Sequence, residues 1–92
     1  MELMYERVAA IDVGKKEVAV TVRVPGSSPG AARVEVTRKF KTFYPVLAVM
    51  ATWLAEQKVT HVAMESTGVY WRPVFHALCD RLSDHLHRAP EV

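Results

Sequence analysis

The stretch HVAMESTGVYW, residues 61–71, decides the fold of this chain. Val62 to Met64 is an apolar run of the kind that forms a buried strand. It ends on a carboxylate, Glu65, followed by the small Ser66-Thr67-Gly68 and two large aromatics, Tyr70 and Trp71. A charge at the end of a buried strand calls for a partner elsewhere in the sequence.

Upstream, the pattern is that of strands. RVAAIDV (7–13) is short and nearly continuously apolar, as expected for a strand covered on both faces. Gly14-Lys15-Lys16 reads as a tight connection, and EVAVTVRV (17–24) then alternates, with Val18, Val20, Val22 and Val24 on one face. Pro25 to Gly30 is a loop rich in proline, glycine and serine. RVEVTRKFK (33–41) sets Val34, Val36 and Phe40 against Arg33, Glu35, Thr37, Lys39 and Lys41. So charged a face suits a sheet edge, where charge discourages pairing with other chains.

After Thr42 the period becomes helical. Val46, Leu47, Met50, Trp53 and Leu54 recur at helix spacing over about 43–57, and Pro45 suits the first turn. A fourth strand covers about 60–65, and a second helix is predicted over about 71–87, with a frayed tail beyond it. The order is β-β-β-α-β-α. A meander of three antiparallel strands followed by a helical crossover returns the fourth strand parallel to the first.

Composition bounds the class. Ninety-two residues make one domain, half of them hydrophobic and 24% charged, a balance that excludes a disordered tail. The net charge of +2 neither requires nor opposes a polyanionic partner. One cysteine, Cys79, excludes an internal disulfide and suits a reducing cytoplasm. No apolar run approaches the roughly 20 residues that span a bilayer, and MELMYER lacks a signal peptide's apolar segment. The expectation is a cytoplasmic protein without a membrane partner.

The topology supplies Glu65 with its partner. Asp12 lies near the end of the first strand, and parallel neighbours would bring both acids to one end of the sheet. Adjacent strands are about 4.8 Å apart, close enough for two carboxylates to repel or to share one ion. Mg²⁺ or Mn²⁺ favours such oxygen ligands, and paired ions activate a nucleophile and stabilise a leaving oxygen in phosphodiester cleavage. For either acid alone, a solvated strand end or a helix cap is the simpler reading.

AAIDVGKKEVAV, followed some way on by VAMESTGVYWRPV, resembles the N-terminal catalytic region of the DEDD transposases of the insertion sequence 110 family. Asp-x-Gly after a first strand occurs in many RNase H-like and actin-like domains; the strand-end Glu running into Ser-Thr-Gly-x-Tyr-Trp is the more specific motif. The resemblance covers about residues 7–82. It implies an RNase H-like (RuvC-like) mixed sheet, with Asp12 and Glu65 as the first and second acids of a Mg²⁺ site. It implies further a role in DNA transposition and recombination, with DNA and an element-encoded guide RNA as partners. The family's other two aspartates lie on a helix after a fifth strand, in a Lys-Thr-Asp-type segment with no counterpart in these 92 residues. Asp80 and Asp84, in CDRLSDHL, do not match it, and Ser66 does not match the nucleophilic serine of the family's separate C-terminal domain. The expectation is therefore a partial DEDD transposase domain, truncated before the fifth strand and with little cleavage activity alone. It would self-associate, or join a full-length transposase, through its exposed fourth strand.

The remaining candidates carry two readings each. Lys15 and Lys16 suit phosphate contacts near the acids or an ordinary solvated hairpin. Tyr70, Trp71 and Arg72 suit nucleic-acid contacts or packing where the second helix starts. Arg33, Arg38, Lys39 and Lys41 form a basic strand that suits nucleic acid or edge solubility. Ser66, Thr67 and Gly68 read as the loop and cap before the second helix. His61, His76, His85 and His87 show no zinc spacing. Two other classes of function stay open: an actin-like nucleotide-binding domain, from Asp12-Val13-Gly14-Lys15, and a non-catalytic oligomerisation module.

Overall fold

The computed structural model describes residues 6–28, 30–66 and 68–81, with the backbone of residue 82 and of 87–88. Strands β1 (Val8–Val13), β2 (Glu17–Val24) and β3 (Val34–Lys41) precede helix α1 (Tyr44–Glu56). Strand β4 (His61–Ser66), helix α2 (Trp71–Leu82) and a two-residue strand β5 (His87–Arg88) follow. The sheet order is β3-β2-β1-β4-β5. β1 runs antiparallel to β2, β2 antiparallel to β3, and β4 parallel to β1. The predicted meander, helical crossover and parallel return are thus all present.

Two expectations about where elements end change. The second helix, predicted to reach residue 87, spans Trp71–Leu82, and His87–Arg88 pair in parallel with His61 and Val62. That pairing occupies backbone groups at the start of β4 that a four-stranded sheet would leave at its edge. Ser66, expected in a loop, is the last residue of β4 and pairs with Val13. Thr67, Asp84, His85 and the tail 89–92 lie outside the described residues.

One face of the sheet carries the core. Ile11, Val13, Val18, Val20 and Phe40 meet Leu47, Met50 and Leu54 of α1 and Val74, Ala77 and Leu78 of α2 in a single buried cluster. Each strand contributes alternate residues to it, the period of two that a half-buried sheet requires. β1, whose apolar run suggested cover on both faces, is half-buried too, because its second face carries the exposed Ala10 and Asp12. The opposite face bears Ala10, Asp12, Ala19, Thr21, Lys39, Ala63 and Glu65, and no described element covers it.

Local chemistry fixes the element ends. Pro45 stands in the first turn of α1, where its missing N–H has no acceptor to lose. At the other end Lys58 adopts the left-handed conformation (φ 57°). Its N–H donates to the Ala55 carbonyl at 3.0 Å, and the Val59 N–H to that of Leu54 at 3.2 Å. These are the paired bonds of a Schellman stop, with buried Val59 packing the chain back toward the core. The Arg7 guanidinium donates to the Gln57 carbonyl at 2.8 Å, tying the end of α1 to the start of β1. The crossover therefore begins and ends at fixed points, which sets the register of β4 on β1.

Candidate acid pair and the end of the sheet around it

Asp12 and Glu65 are register partners on the adjacent parallel strands β1 and β4. The burial alternation puts both on the open face: Ile11 is 2% exposed and Val62 7%, whereas the two acids are exposed. Their Cα atoms are one strand spacing apart, about 4.8 Å. No hydrogen bond or ion pair to either is found among the described residues; the ion pairs there are Arg23–Glu35 at 3.1 Å and Lys41–Glu17 at 3.9 Å. Two neighbouring carboxylates without a cation between them are a donor set that suits a hard divalent ion. They are also only part of one, since no group of three or more His, Cys, Asp or Glu side chains is placed to hold a metal among the described residues.

The row of side chains through the acids is informative. Across the open face, Lys39, Ala19, Asp12 and Glu65 stand opposite one another in successive strands. The next row toward the start of β1 is Thr37, Thr21, Ala10 and Ala63, with the two threonine hydroxyls hydrogen-bonded at 2.8 Å. Small side chains thus leave the acids standing clear of the surface. A shallow depression of about 320 Å³ lies beyond them, lined by Val8, Ala10, Thr21, Arg23, His61 and Ala63.

The other candidates cluster at the same end of the sheet. Lys15 and Lys16 are exposed in the β1–β2 turn, closed by a Gly14 N–H to Glu17 carbonyl bond at 2.9 Å. The Thr42 N–H donates to the Lys16 carbonyl at 3.1 Å and its hydroxyl to that of Lys15 at 3.2 Å, so the turn is held at β3 as well. A Cβ on Gly14 would lie 3.0 Å from the Glu17 carbonyl oxygen, which suits glycine there. Tyr70 and Trp71 follow β4 and are each 38% exposed. Trp71 is not free-standing: its ring meets Phe75 edge-on at 5.8 Å, with the Arg72 guanidinium 5.8 Å from it. Phe43, which sequence reasoning passed over, is 67% exposed at the N-cap of α1, where it makes no side-chain cap. A residue at a helix start that is a large hydrophobe rather than Ser, Thr, Asp or Asn was the available signal.

The basic strand divides between two faces. Lys39 and Lys41 share the open face with the acids, whereas Arg38 lies on the helix side with Phe40. Its guanidinium sits 4.8 Å from the Trp53 ring and 5.2 Å from the Phe40 ring. Arg38 is therefore a lid on the core and not a member of a basic surface with Lys39 and Lys41. Arg33 donates to the Glu6 carbonyl.

A mixed sheet of this order, with its first and fourth strands parallel and its helices packed on one face, defines the class: a RuvC-like, RNase H-like α/β fold. Among solved structures the chain is similar to RuvC from Thermus thermophilus, with a TM-score of 0.63 over 90% of its own length. At 12% identity this likeness establishes the fold, and the chain spans 63% of the length of that structure. No family model matches the sequence, and no curated protein matches it. No described helix is long and apolar enough to cross a membrane.

Proposed function

We propose that this chain is the first part of the catalytic domain of a metal-dependent DNA transposase of the insertion sequence 110 type, with Asp12 and Glu65 as two of its metal ligands. The observation that carries this reading is the register of β4 on β1, which makes the two acids direct neighbours on a face that no described element covers. The fold and the Ser-Thr-Gly-x-Tyr-Trp motif after Glu65 support it.

Mg²⁺ or Mn²⁺, when bound, supplies Lewis-acid stabilisation of a phosphodiester and an activated water. Asp12 and Glu65 would hold it from adjacent strands, their spacing set by backbone hydrogen bonds and not by loop geometry. Lys15 and Lys16 stand where a phosphate approaching the acids would meet them, and Tyr70, Trp71 and Arg72 flank the same end. DNA is the partner this arrangement suits, with an element-encoded guide RNA as the second nucleic acid. Two ligands bind such an ion weakly, and cleavage by the 92 residues alone is expected to be little or none.

The test is calorimetric titration with Mn²⁺. Weak binding is expected in the parent chain, with none in the doubly substituted Asp12→Asn, Glu65→Gln protein. Retention of the same affinity by that double variant would refute the assignment.

A further inference from the structure

Among the described residues nothing pairs with the outer edge of β3, Val34–Lys41. The hydrogen-bond phase of that edge is determined. Thr42 donates to the Lys16 carbonyl, continuing the Glu17↔Lys41 register by one residue. Ladder bonds alternate along an antiparallel strand, so even-numbered residues of β3 bond to β2. Glu35, Thr37, Lys39 and Lys41 therefore turn their backbone N–H and C=O groups outward.

From this edge we infer that two copies of the chain associate by antiparallel pairing of β3 with β3 about a two-fold axis at Thr37. In that register Thr37 faces its own copy and Glu35 faces Lys39 of the other chain, twice by symmetry. These are three of the four outward-bonding residues, and each such pair exchanges backbone hydrogen bonds; the fourth, Lys41, falls opposite Arg33, just outside the strand. The even-numbered residues fall opposite one another on the helix side: Val34 against Phe40, and Val36 against Arg38. Val34 and Val36, 46% and 44% exposed in the single chain, gain cover there. The Arg38 guanidinium, drawn onto Trp53, presents its aliphatic stem to Val36.

Charge selects the occupant. A lysine-bearing edge repels an arbitrary strand. The same edge accepts its own copy, because an acid stands four residues before Lys39 and antiparallel pairing brings the two together. Shifting the two-fold axis from Thr37 to Arg38 would set Arg38 against Arg38. The result is an isologous dimer with one continuous sheet, the helices of both chains on one side and both acid pairs on the other. The acid pairs then lie roughly 30 Å apart, counting strand spacings across the joined sheet. A single strand edge buries little area, which makes this a weak and concentration-dependent association.

Sedimentation velocity over a concentration series tests it with charge reversal. The parent chain is expected to show a monomer–dimer equilibrium. Glu35→Lys and Lys39→Glu are each expected to weaken it by about tenfold or more, since each sets like charges together at both symmetric positions. An equimolar mixture of the two single variants is expected to restore a dimer containing one of each, and the double reversal E35K/K39E to dimerise alone. Recovery in the mixture also shows that both variants fold. A parent chain that stays monomeric, single variants that dimerise like the parent, or a mixture that fails to recover would each overturn the proposal.

Discussion

Replacing Arg38 with alanine separates a structural cation from a nucleic-acid-binding one. Its guanidinium lies over two rings, 4.8 Å from Trp53 and 5.2 Å from Phe40, whose centroids are themselves 5.8 Å apart. An exposed cation–π contact contributes about 0.5–1 kcal/mol, so two together give about 1–2 kcal/mol. The stem also shields the outer side of Trp53, so the loss includes packing as well as charge. For a domain of this size, each kcal/mol moves the melting temperature by roughly 4–8 °C. Arg38→Ala is therefore expected to melt roughly 4–15 °C lower, as followed by circular dichroism. Lys39→Ala, one residue along but on the open face, serves as the control and should melt within a degree or two of the parent. Binding of a fluorescent DNA oligonucleotide, measured well below both melting temperatures, should show the opposite order: unchanged in Arg38→Ala and weakened in Lys39→Ala. Equal melting temperatures for the two variants would refute the placement of Arg38 as a cover on the core.

Two further predictions concern the helices. Lys58 holds the left-handed position of the stop after α1, which disfavours a side chain. Lys58→Gly is expected to raise stability by up to about 1 kcal/mol, glycine's greater freedom in the unfolded chain offsetting part of the gain; a lower urea midpoint would contradict this. The Tyr44 hydroxyl donates to Asp80 Oδ2 at 2.8 Å, and that bond and the Asp80 charge raise the Tyr44 pKa above its ordinary value. A phenol with a raised folded-state pKa stabilises the fold below the unfolded value of about 10 and loses that contribution as pH rises through the folded value. Tyr44→Phe should thus melt below the parent at neutral pH, and the difference should vanish at strongly alkaline pH; a difference constant with pH would contradict the assignment.

The fold was legible because the sequence changes period where the structure changes element. Alternation in 17–24, the helical spacing of Leu47, Met50 and Leu54, and the apolar runs ending in Asp12 and Glu65 each had one natural reading. The parallel return of β4 followed from chain-connection rules, and with it the pairing of the two acids. Arg38 was also legible, since it shares the parity of Val34, Val36 and Phe40; a charge-based grouping with Lys39 and Lys41 hid it. The end of α2 was not legible, because the periodic residues Val74, Ala77 and Leu78 set its inner face but no glycine or proline marks its stop before Pro90. The two-residue β5 depends on the edge of β4, a tertiary feature that local pattern does not encode. The burial of the Ser66 hydroxyl without a hydrogen-bond partner among the described residues was equally invisible in a stretch that reads as a polar loop.

The register between β1 and β4 has a consequence for how variation in this chain is filtered. Side chains alternate faces with a period of two, so a slip of β4 by one residue would set Asp12 against Met64 or Ser66 and turn the apolar face of β4, Val62 and Met64, away from the core. An error in the placement of the acids would then also be an error in the core, at a cost of several buried contacts. Selection for a stable sheet and selection for the acid spacing therefore act on one alignment. A mutant that has lost the pairing of Asp12 with Glu65 through misregister should be found among unfolded proteins before it is found among inactive ones.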